Sequence, residues 1–279
     1  MNPEIERIGE SLRQSFQGLG EVLATVEKTC PEHGPYTEKT TKGLFDMVNK
    51  SQCPACMERE DAEMEERLRQ HEEKERIERE REAEAARLRK LAEMNIEPAY
   101  HRATLDNFDA STPELAHNLE RIRDLVEGRV QKIVMTGKNG TGKTHLACAA
   151  LHVLGGRIMT MYEISTTIRA SYTPVARESE MEIVDELARL PLLVIDEIGR
   201  TKGGDAEANW LSYIIDKRHV RGLPLILISN KHTRKICDKG GCADCIENYI
   251  GEDIMSRLVE GGALLRFTGE DWRRKARAA

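Results

Sequence analysis

Eight consecutive residues carry the clearest chemistry in this sequence: Gly137-Lys138-Asn139-Gly140-Thr141-Gly142-Lys143-Thr144. Glycines at these positions let backbone N–H groups curl around phosphate oxygens, and a helix opening behind them adds its partial positive charge. Lys143 then reaches the β- and γ-phosphates, and the Thr144 hydroxyl is placed to ligate Mg²⁺. A second stretch, Leu192-Leu193-Val194-Ile195-Asp196-Glu197, is an apolar run ending in two carboxylates. A strand that carries Asp196 to the edge of a sheet brings it beside the phosphate loop, to hold Mg²⁺ directly or through water. Glu197 is then placed to polarise an attacking water. A third run, Leu225-Ile226-Leu227-Ile228, ends in Ser229-Asn230, and Asn230 at that strand end would orient the same water. The expected nucleotide contacts are Gly137, Asn139, Gly140, Thr141, Gly142, Lys143, Thr144 and Asp196, with ATP and Mg²⁺ as cofactors.

Cysteines supply a second kind of chemistry. Cys30-Pro31-Glu32-His33 and Cys53-Pro54-Ala55-Cys56 are two C-x-x-[CH] pairs. Their spacing suits one tetrahedral Zn²⁺ held by Cys30, His33, Cys53 and Cys56, a closed and therefore structural site. So short a segment has too few apolar residues for a core, and the metal would supply its folding free energy. Cys237, Cys242 and Cys245 form a second cluster, with His232 upstream and Asp238 and Asp244 as competing ligands. A second zinc, reduced loop cysteines and a redox switch all fit that spacing. Cys148 falls on the helix behind the phosphate loop and reads as packed core.

These groups need elements to position them. Residues 1–28 read as an amphipathic helix, with Ile5, Ile8, Leu12, Phe16 and Leu19 at three- or four-residue steps. Residues 29–56 form the zinc module. Residues 57–96 are dense in Glu, Arg, Lys and Ala without an interior glycine or proline, and read as a charged helical spacer; a weak coiled coil is the alternative. From residue 97 to 279 the composition is that of a globular domain. There, apolar runs at Lys132–Thr136, Arg157–Thr160, Leu192–Asp196, Leu225–Ser229 and Leu264–Phe267 alternate with helical stretches such as His145–Val153. That alternation predicts an α/β fold, a mostly parallel sheet covered on both faces.

Composition sets outer bounds. The 279 residues carry 42 Lys and Arg against 48 Asp and Glu, a net charge of −6, which excludes a globally basic nucleic-acid coat. No apolar run is long enough to span a membrane. The opening residues lack a basic flank before an apolar run, so a cytoplasmic location is expected.

Together, the phosphate loop, the Leu-Leu-Val-Ile-Asp-Glu-Ile-Gly strand and the Ser-Asn strand end resemble an AAA+ ATPase. Residues 96–272 resemble the DnaC-type helicase loaders, with the IstB-type transposition helpers as close relatives. Asp216-Lys217-Arg218 is similar to the group's D-R-R sequence. The resemblance implies that Arg257, in Met255-Ser256-Arg257-Leu258, is an arginine finger reaching a neighbouring subunit's γ-phosphate. The catalytic set is then Glu197, Lys143, Asn230 and Arg257. With only twelve residues after Phe267, it also implies no C-terminal helical lid. The adenine would be covered by the region of Ala99, Tyr100, His101 and Phe108 and by a neighbouring subunit; Arg273 and Arg274 would serve either as a substitute sensor arginine or as a frayed, solubilising tail.

The activity implied is ATP-dependent loading of a replicative hexameric helicase onto single-stranded DNA by a homo-oligomeric ring or spiral. Candidate DNA contacts are Arg169, Tyr172 and the loop Arg200-Thr201-Lys202-Gly203-Gly204. Alternatives are an IstB-like transposition helper and a nucleotide-gated, non-catalytic adaptor.

Overall fold

The computed structural model describes residues 20–43, 47–200 and 204–272. The expected helical positions up to Leu19, most of the candidate DNA loop, and Arg273 and Arg274 lie outside the described residues. The chain divides into two compact units, Met1–Glu84 and Ala85–Ala279.

The first unit holds a three-stranded antiparallel sheet in the order β1-β2-β3, with β1 at Val22–Cys30, β2 at Gly34–Lys42 and β3 at Val48–Lys50. Residues 22–28, placed in a helix by their sequence, are therefore strand. The reason lies in residue type: Val22, Thr25, Val26 and Thr29 are β-branched, and the paired strand β2 carries Tyr36, Thr37, Thr40 and Thr41. The β1–β2 hairpin closes with Cys30 opposite Gly34, whose φ of +82° sits in the region that favours glycine. Seen alone, residues 20–28 carry no signal for the partner strand that decides their conformation. β1 is exposed along its length except at Cys30. Glu38 of β2 is buried and accepts from Lys28 Nζ at 2.9 Å. The sheet thus has almost no apolar core.

Helix α1, Pro54–Glu93, starts inside the second cysteine pair rather than after it. Its 40 residues are nearly all exposed. Pairs such as Glu66–Arg69 at 2.5 Å and Glu73–Arg76 at 2.7 Å line its surface, each contributing ~0.2–0.5 kcal/mol. The expected module boundaries after residues 28 and 56 are thus both crossed by continuous elements.

In the second unit, five parallel strands lie in the order β5-β6-β7-β4-β8. They are β4 Lys132–Gly137, β5 Arg157–Thr160, β6 Leu193–Ile198, β7 Leu225–Ser229 and β8 Gly262–Phe267. Each central strand alternates its side chains between two cores. Ile133, Met135, Val194, Ile226 and Ile228 enter one, packed with Ile122, Leu125, Leu146 and Leu151. Val134, Leu193, Ile195, Leu225 and Leu227 enter the other, packed with Ile164, Leu187, Leu211 and Ile214. Both faces are covered, so continuous apolar strands are required rather than alternating ones.

The covering helices are α2 Pro113–Val126, α3 Lys143–Leu154, α4 Met161–Ala170, α5 Glu180–Arg189, α6 Asp205–Arg221 and α7 Glu252–Val259. α4 and α5 each begin with a capping box, Thr160 with Glu163 and Ser179 with Glu182.

Candidate functional site

The loop between β4 and α3 folds around missing side chains. Gly137 has a φ of +134°, and a Cβ there would collide with the backbone oxygen of Phe267. Gly142, with a φ of +94°, is the N-cap of α3, and a Cβ on it would lie 2.7 Å from the Phe108 ring. Only glycine allows the loop to turn this tightly beneath the start of α3.

Lys143 is 5% exposed, and its Nζ donates to the carbonyls of Gly137 at 2.8 Å and Lys138 at 2.5 Å. The ammonium is thus held over the mouth of the loop. The Thr144 hydroxyl donates to Asp196 Oδ2 at 2.9 Å, joining the first turn of α3 to the end of β6. A hydroxyl and a carboxylate in this pairing are hard oxygen donors that suit Mg²⁺. Burial pushes the Asp196 carboxyl above its ordinary value, against the Glu197 N–H, which donates to Oδ1 at 2.6 Å, and the Thr144 hydroxyl.

Glu197 has a φ of +57°, a conformation rare for a residue with a Cβ. It sits where the β6–β7 register breaks between Ile195 and Ile198. This irregularity re-aims two adjacent carboxylates toward one cavity instead of opposite faces. The Glu197 carboxylate pairs with Arg200.

A cavity of about 380 Å³ opens over the loop. Asn139, Gly140, Thr141, Gly142, Lys143, Thr144, Asp196, Glu197 and Asn230 all line it. Gly137 lies just beyond, in an adjoining recess. Tyr100 and Phe108 line the cavity as expected, whereas Ala99 and His101 do not. Four further lining residues were missed by sequence reasoning: Asn107, Asp109, His145 and Trp272. His145 Nε2 meets Asn107 Oδ1 at 3.0 Å and its ring lies 5.7 Å from that of Phe108. The Trp272 N–H donates to the Gly140 carbonyl at 3.0 Å, bringing a distant part of the chain onto the loop. No local motif marks those four; only their arrival at one cavity does.

Arg257 does not line the cavity. It lies exposed on α7, with its guanidinium 2.6 Å from both carboxylate oxygens of Asp216 on α6. Arg218, two residues after Asp216, has a different role. It is 1% exposed and donates to the carbonyls of Leu187, Leu190, Pro191 and Pro224. Burial lowers its pKa to about 10. Tyr172 is exposed, and its hydroxyl donates to Glu180, which also accepts from Trp210 Nε1 at 2.7 Å. Arg169 lies 3.9 Å from Glu207.

The two cysteine clusters each converge. The ligand atoms of Cys30, His33, Cys53 and Cys56 lie within 4.8 Å of one another. Cys30 Sγ is 3.6 Å from His33 Nδ1 and 3.7 Å from Cys56 Sγ, and Cys56 Sγ is 3.3 Å from His33 Nδ1. Zn–S bonds of ~2.3 Å and Zn–N bonds of ~2.0–2.1 Å set tetrahedral edges of about 3.5 Å for S···N and about 3.8 Å for S···S. The residues therefore fit such an ion. The backbone N–H of Glu32 and the His33 ring lower the Cys30 thiol to about 6, toward the thiolate a metal needs, while hydrogen bonding to Cys30 and burial raise Cys56 to about 11. His232, Cys237, Cys242 and Cys245 form the second group, also within 4.8 Å. Cys148 is 1% exposed, and burial pushes its thiol up to about 12, as a packed residue requires.

Among the described residues, no helix is long and apolar enough to cross a membrane.

Comparison with known proteins places this geometry. A family model described as IstB-like ATP binding protein matches residues 47–279. The replicative helicase loader DnaC of Escherichia coli K12 is 26% identical over 177 residues, covering 61% of this chain and 68% of that protein. An uncharacterized protein of the same strain, YdaV, is 25% identical over 191 residues, 64% of this chain and 71% of its own length. The fold is similar to a crystal structure of the DnaC helicase loader, with a TM-score of 0.51 at 22% identity, over 62% of this chain and 100% of the other. The parallel sheet, its phosphate loop and a family match over most of the sequence lead to one assignment: this chain belongs to the IstB-like ATP-binding proteins, in the DnaC/IstB group of AAA+ P-loop folds.

Proposed function

We propose that this protein is an ATPase that loads a replicative hexameric helicase onto single-stranded DNA. The observation that carries the ATPase part is the convergence of Lys143, Thr144, Asp196, Glu197 and Asn230 on one cavity above the glycine loop. The relatives named as replicative helicase loaders support the choice of client.

When bound, Mg²⁺·ATP supplies the phosphoryl group and a metal that neutralises its charge. Lys143 exchanges its two carbonyl acceptors for phosphate oxygens. Thr144 and Asp196, hydrogen-bonded to each other at 2.9 Å, would hold the metal. Glu197 accepts the proton of the attacking water, and Asn230 orients that water from the end of β7. Tyr100, Phe108 and Trp272 provide apolar walls for the base. Arg257 serves a neighbouring subunit: its exposed guanidinium lies outside its own cavity, and its pairing with Asp216 would open as subunits assemble. Cys30, His33, Cys53 and Cys56 hold a structural zinc, which compensates for the missing core of the β1–β3 sheet. That unit grips the helicase. The exposed Tyr172 stacks on a base of single-stranded DNA while Arg169 meets phosphate. Location is cytoplasmic.

Native mass spectrometry of the protein with a replicative helicase and ATP tests this reading. A stoichiometric complex is expected, lost in Cys53→Ala and kept in Glu197→Gln. No complex under any nucleotide overturns the loader assignment. The family model favours one second reading, an IstB-like transposition helper, which a complex with a transposase in the same assay would establish.

A further inference from the structure

We propose that His232, Cys237, Cys242 and Cys245 form a second structural zinc site, which clamps the segment linking Asn230 to the helix that carries Arg257. The inference stands apart from the choice of client.

Ligand geometry comes first. Cys242 Sγ lies 3.2 Å and Cys245 Sγ 3.5 Å from His232 Nε2, close to the S···N edges of about 3.5 Å that a tetrahedral zinc demands. The same spread, 3.3 to 3.7 Å, separates the atoms of the Cys30 cluster. Three thiols and an imidazole form a soft set that selects zinc over Mg²⁺ or Ca²⁺, and four protein ligands leave no open position.

The backbone is built to hold this set. His232 and Cys245 form a bridge, and the Ile246 N–H donates to the His232 carbonyl at 2.8 Å. The Cys245 N–H donates to the Cys242 carbonyl at 3.1 Å, and the Gly240 N–H to the Cys237 carbonyl at 3.0 Å. Gly240 and Gly241, with φ of +65° and +141°, turn the chain between Cys237 and Cys242. The Cys242 N–H donates to Cys245 Sγ at 3.3 Å.

The competing ligands fall away. Asp244 is drawn to Lys231 Nζ at 2.5 Å, and Asp238 is not part of the converging group. Simple packing does not account for the thiols either, because Cys237 and Cys242 remain half-buried while only Cys245 is fully enclosed.

Position gives the site its consequence. Residues 231–251 contain no strand and only short helical turns, at Arg234–Ile236 and Glu247–Ile250. Ordering so irregular a stretch costs conformational entropy that two buried isoleucines, Ile246 and Ile250, offset only in part. Arg234 carries the order onward: its N–H donates to the Glu247 carboxylate at 2.8 Å, and its guanidinium pairs with Glu252 in the first turn of α7. A metal at His232 thus fixes Asn230 on one side and the Arg257 helix on the other.

The test is elemental zinc per chain, measured by plasma mass spectrometry on tag-free full-length protein in reducing buffer. Wild type is expected to hold two zincs. Cys53→Ser/Cys56→Ser and Cys237→Ser/Cys242→Ser should each hold one, and the quadruple variant none. The wild-type count does not depend on any variant folding. Cobalt substitution gives a second readout: each pair of substitutions should halve the thiolate-to-cobalt absorption. One zinc in the wild type, unchanged by Cys237→Ser/Cys242→Ser, overturns the proposal. So does an intact mass lighter by two hydrogens with the loss mapped to this cluster, since a disulfide cannot ligate.

Discussion

Glu197 holds its carboxylate on a strained, positive-φ backbone at the end of β6, and the strain aims it at the cavity shared with Lys143 and Asn230. Glu197→Gln keeps the shape and removes the proposed base. Turnover should fall by ~10²-fold or more while ATP binding persists, as steady-state hydrolysis and equilibrium titration with nucleotide would show. The same carboxylate is paired with Arg200. That pair is exposed, and exposed pairs contribute ~0.2–1 kcal/mol, so freeing the carboxylate has a bounded effect. Arg200→Ala should raise basal hydrolysis by no more than ~5-fold; a fall instead would mean that Arg200 contributes to the reaction.

At the scale of elements, one buried guanidinium joins three of them. Arg218 on α6 donates to the carbonyls of Leu187 at the end of α5, of Leu190 and Pro191 ahead of β6, and of Pro224 ahead of β7. Removing it orphans carbonyls that cost ~1–3 kcal/mol each when buried without a donor. Arg218→Met should therefore destabilise the protein by ~3 kcal/mol or more in urea unfolding. Arg218→Lys should recover only part of this, because an ammonium lacks the planar fork that serves four acceptors. The capping boxes act on a smaller scale. Ser179 accepts from the Glu182 N–H while the Glu182 carboxylate accepts from the Ser179 N–H. Ser179→Ala should cost ~1 kcal/mol by the same measurement.

For the whole molecule, the separation of Arg257 from its own cavity is the central fact. If the finger acts between subunits, two defective chains complement each other. A mixture of Lys143→Ala, which retains the finger, and Arg257→Ala, which retains the cavity, should hydrolyse ATP well above either variant alone in the presence of the client. Activity no greater than the two added together would place Arg257 in a structural role with Asp216. The first unit offers a separate prediction. Among the described residues its sheet has almost no apolar core, so the proposed zinc would supply much of its order. Cys53→Ser/Cys56→Ser should abolish amide protection along Val22–Lys42 in hydrogen exchange and leave protection in β4, β6 and β7 unchanged.

The sequence by itself determined what is local. The glycine loop, the apolar strand ending in Asp196 and Glu197, and the Cys30–Cys56 ligand set are short motifs whose chemistry follows from spacing. The order of strands and helices in the second unit was legible for the same reason, since buried parallel strands leave continuous apolar runs. Tertiary structure decided everything that depends on a distant partner. Residues 22–28 became strand because β2 pairs with them. His232 rather than Asp244 joined the second cysteine group because Lys231 holds the aspartate. Arg218 proved a structural donor and Arg257 an exposed one although both lie in charged helical stretches, because burial depends on what packs above a helix. Trp272 met the phosphate loop across 132 residues of sequence, through a backbone hydrogen bond to Gly140 that no periodicity foretells.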